Sequence, residues 1–139
     1  MNINIPVSAI MTKKLATLTV KDTLYDAEKL FKKHNIRHIP IVDGSIIIGV
    51  LSYSDLLKIS YTDVTDDEEG VESIVYDMFT IQQVMAKVPL TVTENATVKE
   101  VVEILTKHTF HSLPVVKNEN ELVGIVTTTD LLNYFLTQE

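Results

Sequence analysis

Two short segments of this chain carry residue types that could do chemistry. Gly49-Val50-Leu51-Ser52-Tyr53-Ser54-Asp55 and Gly124-Ile125-Val126-Thr127-Thr128-Thr129-Asp130 each place a hydroxyl at the end of an apolar run and a carboxylate three residues later. If a helix starts there, its free N–H groups present positive partial charge to a phosphate, and the hydroxyl of Ser52 or Thr127 adds a donor. The carboxylate of Asp55 or Asp130 can then take both hydroxyls of a ribose, the role an acid plays in dinucleotide folds. The same residues also serve as ordinary helix caps. One copy alone would favour capping, and repetition of the whole spacing shifts the balance towards a site.

A second pair of segments, Arg37-His38-Ile39-Pro40 and His111-Ser112-Leu113-Pro114, precedes the middle of each half. Arg37 offers a permanent charge for a phosphate and His111 a titratable one, while each proline lacks a donor and points to a strand start or edge. Surface polarity before a buried strand explains the same residues equally well. Thr17 and Thr91, beside Ala16 and Leu90, precede strands and suit either core packing or the wall of a base. Catalysis finds little support. His34 and His108 occupy matching positions near helix ends, and no Ser-His-Asp grouping, His-x-x-Glu-His helix, carboxylate pair or glycine-rich phosphate loop stands out. The chain reads as a non-enzyme with no metal site and no required cofactor.

Composition narrows the class further. The chain has 139 residues, 45% of them hydrophobic, which suits one medium domain or two half-domains sharing a core. Zero cysteines exclude disulfides and thiolate metal sites and fit a reducing cytoplasm. No apolar run approaches the roughly 20 residues of a membrane helix, and the first residues lack the pattern of a signal peptide. A cytoplasmic protein is the expectation. The net charge of −7 is local: seven acids and no Lys or Arg lie between Lys58 and Lys87, and elsewhere 12 acids balance 12 bases. No basic face for nucleic acid follows from that distribution.

The elements that must position these residues are written twice. Ile10-Met11 recurs as Val84-Met85, Thr23 as Thr97 and Pro40 as Pro114 at one separation of 74 residues, which becomes 75 where Gly49 answers to Gly124 and Asp55 to Asp130. In each copy a Thr-x-x-acid box, Thr23 with Asp26 and Thr97 with Glu100, precedes an apolar stripe of helical period ending near Asn35 and Thr109. Two strands follow, Ile39 to Val42 and Ile46 to Leu51, then Leu113 to Val116 and Glu121 to Val126, each pair joined by a turn. A last helix opens at Ser52 and at Thr127. The predicted fold is α/β (α+β), two β-α-β-β-α repeats at 1–59 and 81–139. Residues 60–80 form an acidic linker whose Val71, Ile74, Val75, Met78 and Phe79 have helical spacing.

Taken together, Met11 and Met85, the Ile-Pro-Ile-Val and Leu-Pro-Val-Val runs, and the paired Gly-x-x-Ser/Thr-x-x-Asp-Leu-Leu segments resemble a tandem pair of CBS domains, the cystathionine β-synthase motif. The resemblance covers residues 6–136 apart from the acidic linker. It implies two repeats packed through their sheets with pseudo-twofold symmetry, two clefts, and an adenosine-containing ligand such as AMP, ADP, ATP or S-adenosylmethionine. By position, Asp55 and Asp130 would hold ribose, and Ser52 and Thr127 ribose or phosphate. Arg37, His38 and His111 would neutralise phosphate, in a segment that includes Ser112. Thr17, Ile39, Thr91 and Leu113, with neighbours such as Pro40 and Pro114, would frame the base. The resemblance further implies a flat homodimer that reports ligand binding to a partner, here an unidentified effector protein. The competing reading is a structural dimerisation or adaptor module with unoccupied clefts.

Overall fold

Threonine side chains open the two amphipathic helices by reciprocal hydrogen bonds. The computed structural model describes residues 2–62, 76–87, 90–109 and 111–137. In it Thr23 Oγ1 accepts from the Asp26 amide at 3.2 Å while the Asp26 carboxylate accepts from the Thr23 amide at 2.9 Å. Thr97 and Glu100 repeat the arrangement at 3.1 and 3.2 Å. Two otherwise unpaired N–H groups are satisfied at each helix start, so α1 (Leu24–His34) and α4 (Val98–Lys107) begin where the sequence places them. Asn35 closes α1 in the left-handed conformation (φ 51°), with Lys32, Lys33 and His34 in the last turn, where the helix dipole favours cations. The end of α4 comes two residues earlier than the expected Thr109, because His108 is already extended.

The strands are β1 (His38–Asp43) and β2 (Ile46–Ser52), then β5 (Ser112–Lys117) and β6 (Glu121–Thr127), each slightly longer than the apolar runs suggested. Gly44 turns the first hairpin at φ 61°, and Asn118 and Asn120 take positive φ in the second, a conformation glycine and asparagine adopt readily. Pro114 lies inside β5, not at its start. Strand β4 (Val92–Thr93) joins β5 only from Val115 onward, so the missing proline N–H falls one residue before that ladder begins. Helices α2 (Tyr53–Thr62) and α5 (Thr128–Thr137) leave directly from the ends of β2 and β6.

Compactness divides the chain into two units. One, the Asp55 unit, comprises Ala16–Gly44 and Ile48–Val88; the other, the Asp130 unit, comprises Met1–Leu15, Ser45–Ile47 and Pro89–Glu139. In each, the body of one repeat is completed by the leading segment of the other. In the Asp55 unit, α3 (Ile81–Val84) is capped by a third box, Thr80 with Gln83. It leads into β3 (Ala86–Lys87), antiparallel to β2 with Ala86 opposite Val50. In the Asp130 unit, the 3-10 turn Val7–Ala9 leads to Thr12, which pairs antiparallel with Ile125 through N···O bonds of 2.8 and 3.0 Å. The Asp55 unit packs Leu24, Ala27 and Phe31 of α1 on Ile39, Ile41 and Leu51, closed by Tyr76, Ile81 and Met85. The Asp130 unit packs Val7, Val92, Val101, Leu113, Val115 and Val126. The acidic run from Asp63 to Glu72, and most of the helix read around Val71 to Phe79, lie outside the described residues.

Candidate functional site at the strand-to-helix junctions

In each unit the hydroxyl and the acid of the repeated motif are bonded to one another's backbone. Ser52 ends β2, and its amide donates to Asp55 Oδ2 at 3.1 Å while the Asp55 amide donates to Ser52 Oγ at 3.0 Å. Thr127 ends β6 and forms the same pair with Asp130 at 2.9 and 3.1 Å. Capping is therefore real. It also holds each carboxylate half-buried in one rotamer at the head of a ten-residue helix, where N–H groups and the dipole favour an anion. A cap of this geometry fixes the side chain that a ligand at the junction would meet.

The polar segments meet these junctions through the backbone. The Tyr53 amide donates to the Arg37 carbonyl at 2.8 Å, and the Thr128 amide and hydroxyl donate to the His111 carbonyl at 2.9 and 3.1 Å. Ser112 stands opposite Thr127 in the ladder. Arg37 and His111 are exposed and His38 is half-buried, whereas Ser112 is 7% exposed. Leu18 bridges Ile41 and donates to the Pro40 carbonyl, which brings exposed Thr17 beside β1; Thr91 leads into β4 beside β5 in the same way. Thus all seven candidates of the first set, Thr17, Arg37, His38, Ile39, Pro40, Ser52 and Asp55, fall in the Asp55 unit. The second set, Thr91, His111, Ser112, Leu113, Pro114, Thr127 and Asp130, falls in the Asp130 unit. The side chains of Ile39 and Leu113 are core residues, with 0% and 1% exposure.

Two cavities lie elsewhere on the units. Arg37 borders one of about 170 Å³ with Phe31, Lys32, Asn35, Ile36 and Tyr53. His111 borders an apolar groove of about 440 Å³ between α4 and α5, lined by Val102, Leu105, Leu132 and Phe135 among others. Neither is lined by Asp55 or Asp130. Among the described residues there is no cluster of three or more His, Asp or Glu side chains able to hold a metal ion, and no helix long and apolar enough to cross a membrane.

One site neighbour is absent from the sequence reading. Thr12 Oγ1 donates to both carboxylate oxygens of Asp130, at 3.0 Å to Oδ1 and 3.2 Å to Oδ2. The repeat itself carries the signal, because the residue after Met11 is Thr12 and the residue after Met85 is Ala86.

The architecture and its doubled junctions define a class of protein, and comparison with known proteins identifies it. The CBS domain family matches residues 7–62 and 81–137, and this chain belongs to that family, with two copies of the domain. Protein YlbB of Bacillus subtilis (strain 168) is 32% identical over 124 residues, spanning 88% of this chain and 76% of YlbB. The chain spans less than half the length of several other curated relatives that it matches. Among solved structures, the CBS domain pair of protein MJ0100 in complex with 5'-methylthioadenosine and S-adenosyl-L-methionine is similar with a TM-score of 0.79. It shares 27% identity, covering 96% of this chain and 98% of that one. CBSX2 in complex with AMP superposes with a TM-score of 0.79 at 22% identity, covering 95% and 96%, a likeness of fold alone.

Proposed function

We propose that this protein is a ligand-sensing regulatory module that binds an adenosine-containing ligand, AMP, ADP, ATP or S-adenosylmethionine, at its strand-to-helix junctions and performs no catalysis of its own. The observation that carries this reading is the doubled junction. Asp55 and Asp130 are each fixed by a reciprocal cap at a helix head, beside a polar segment tied to that helix by a backbone hydrogen bond. The MJ0100 pair, solved in complex with 5'-methylthioadenosine and S-adenosyl-L-methionine, supports it. In this reading Asp55 and Asp130 accept from ribose, Ser52 and Thr127 donate to ribose or phosphate, and Arg37, His38 and His111 neutralise phosphate. Thr17, Pro40, Thr91 and Pro114 frame the base, with Ile39 and Leu113 as its apolar backing. The Asp55 unit carries Arg37-His38 where the Asp130 unit has His111 and a buried Ser112, so it takes the more highly phosphorylated nucleotide.

A second element of the reading is assembly. Leu132, Phe135 and Leu136 are 59, 61 and 77% exposed on α5, an apolar face suited to a homodimer through which occupancy is reported to an effector protein. If the junctions stay empty, that face favours the dimerisation or adaptor role alone.

A thermal-shift panel of AMP, ADP, ATP and S-adenosylmethionine tests the proposal. A ligand that binds only the folded state stabilises it by about 2.7 kcal/mol at a hundredfold excess over its Kd. A rise in melting temperature with at least one ligand is expected, and no shift at millimolar concentration sinks the sensor reading.

A further inference from the structure

The two acids at the helix heads differ in what already occupies them. Among the described residues Asp55 receives only its own cap, through Oδ2, and no side chain donates to its Oδ1. Asp130 receives the same cap through Oδ2 and, in addition, the Thr12 hydroxyl poised across both oxygens. The difference arises in the leading segments. Thr12 pairs with Ile125 one residue after Gly124, and Ala86 pairs with Val50 one residue after Gly49, so the two hold the same register position in their units. A methyl stands in one unit where the other has a hydroxyl.

The placement of that hydroxyl matters chemically. A carboxylate offers about four acceptor positions on two oxygens, and a pair of adjacent hydroxyls uses one on each. Thr12 Oγ1, at 3.0 and 3.2 Å from the two oxygens, sits at the fork between them. A diol approaching Asp130 competes with it for both oxygens, whereas among the described residues no side chain donates to Oδ1 of Asp55. We propose that Thr12 is an internal competitor for Asp130, a specificity-determining residue that weakens ligand capture in the Asp130 unit and makes the two sites unequal. The inference rests on the proposal that these acids receive ribose hydroxyls. It adds a residue 118 positions away that sets their relative affinity.

Thr12 is exposed, so its substitution leaves the core untouched. The experiment compares wild type with Thr12→Val, Thr12→Ser and Ala86→Thr by NMR at one fixed pH. The Asp130 side-chain carboxyl resonance is first followed without ligand, and the backbone amides of both junctions are then titrated with AMP. Thr12→Val is expected to shift the ligand-free Asp130 carboxyl resonance and to tighten AMP binding at Asp130 about three- to tenfold, the scale of one modest hydrogen bond. Thr12→Ser should match wild type, and Ala86→Thr should weaken AMP binding at Asp55 by a similar factor. An unmoved carboxyl resonance in Thr12→Val overturns the inference, as does equal AMP affinity in Thr12→Val and Thr12→Ser. A moved resonance with no binding of AMP, ADP, ATP or S-adenosylmethionine in any variant overturns the ribose reading itself and leaves the Thr12–Asp130 pair a structural tether.

Discussion

Met85 lies across Gly49 so closely that a Cβ at that glycine would strike the methionine sulfur and approach the Ala86 carbonyl oxygen to 2.9 Å. Met11 covers Gly124 in the same way, with Sδ 2.6 Å from a Cβ built there. The glycines are therefore required by close approach of a neighbouring segment, not by backbone conformation, since neither has positive φ. Gly49→Ala should cost about 1–3 kcal/mol, the usual scale of overpacking. Gly44→Ala, at φ 61° with open space around it, should cost about 1 kcal/mol from backbone strain alone. Urea unfolding separates the two, and a smaller loss at Gly49 than at Gly44 would show that the β3 segment moves aside freely.

Asp26 makes stability depend on acid. The Thr23 amide, and then the Thr23 hydroxyl, donate to its carboxylate and hold its pKa below the ordinary 3.8. A group whose folded pKa is depressed stabilises above its unfolded pKa and loses that contribution as pH falls through the folded value. The contribution of this box should thus be complete above about pH 4 and be lost as pH falls from there through the depressed folded value, and Asp26→Asn should flatten that acid limb. Melting temperatures of both proteins from pH 5 downward provide the check, with parallel curves contradicting the assignment.

Tyr76 ties the end of the linker segment to α1. Its hydroxyl donates to Glu28 Oε2 at 2.5 Å, and its ring meets Tyr25 edge-on with centroids 5.1 Å apart. Tyr76→Phe should cost about 0.5–1.5 kcal/mol, one hydrogen bond. Tyr76→Ala should cost about 3–5 kcal/mol, because the ring belongs to the buried core of the Asp55 unit. Equal losses in denaturant unfolding would mean that the ring contributes nothing beyond its hydroxyl.

The exposed face of α5 should govern self-association. Leu132→Glu with Phe135→Glu replaces two side chains that are already mostly in water, so folding stability should change little. Sedimentation of the proposed homodimer should nevertheless move from dimer to monomer. An unchanged sedimentation coefficient at several concentrations would remove this face from any dimer.

Local features of the fold were legible in the residues themselves. Thr23 with Asp26 and Thr97 with Glu100 mark helix starts because a cap bonds within four residues, and Gly44 marks a turn because its φ is nearly free. The same locality made the Ser52–Asp55 and Thr127–Asp130 pairs visible as candidate chemistry. The Thr80–Gln83 box is not evident from the sequence, since it straddles the boundary between the linker at 60–80 and the second repeat at 81–139, and its N3 partner is a glutamine. The buried state of Ser112 was also invisible, because one residue's polarity does not say which strand will cover it.

The sequence by itself determined the doubling, the order of the long helices and hairpin strands, and the identity of the two acid-bearing junctions, all of which rest on short-range spacing and on one comparison of the chain with itself; the strand expected before α1 is only a bridge at Leu18. Only the tertiary structure decided that the segment ending at Thr12 completes the unit of the second repeat and the segment ending at Lys87 that of the first. Such pairings depend on which strand edges and apolar faces remain open after local structure has formed, and spacing along the chain carries no record of that. The contact between Thr12 and Asp130 is its consequence: a hydroxyl and a carboxylate 118 residues apart meet because Thr12 pairs with Ile125, five residues before the acid.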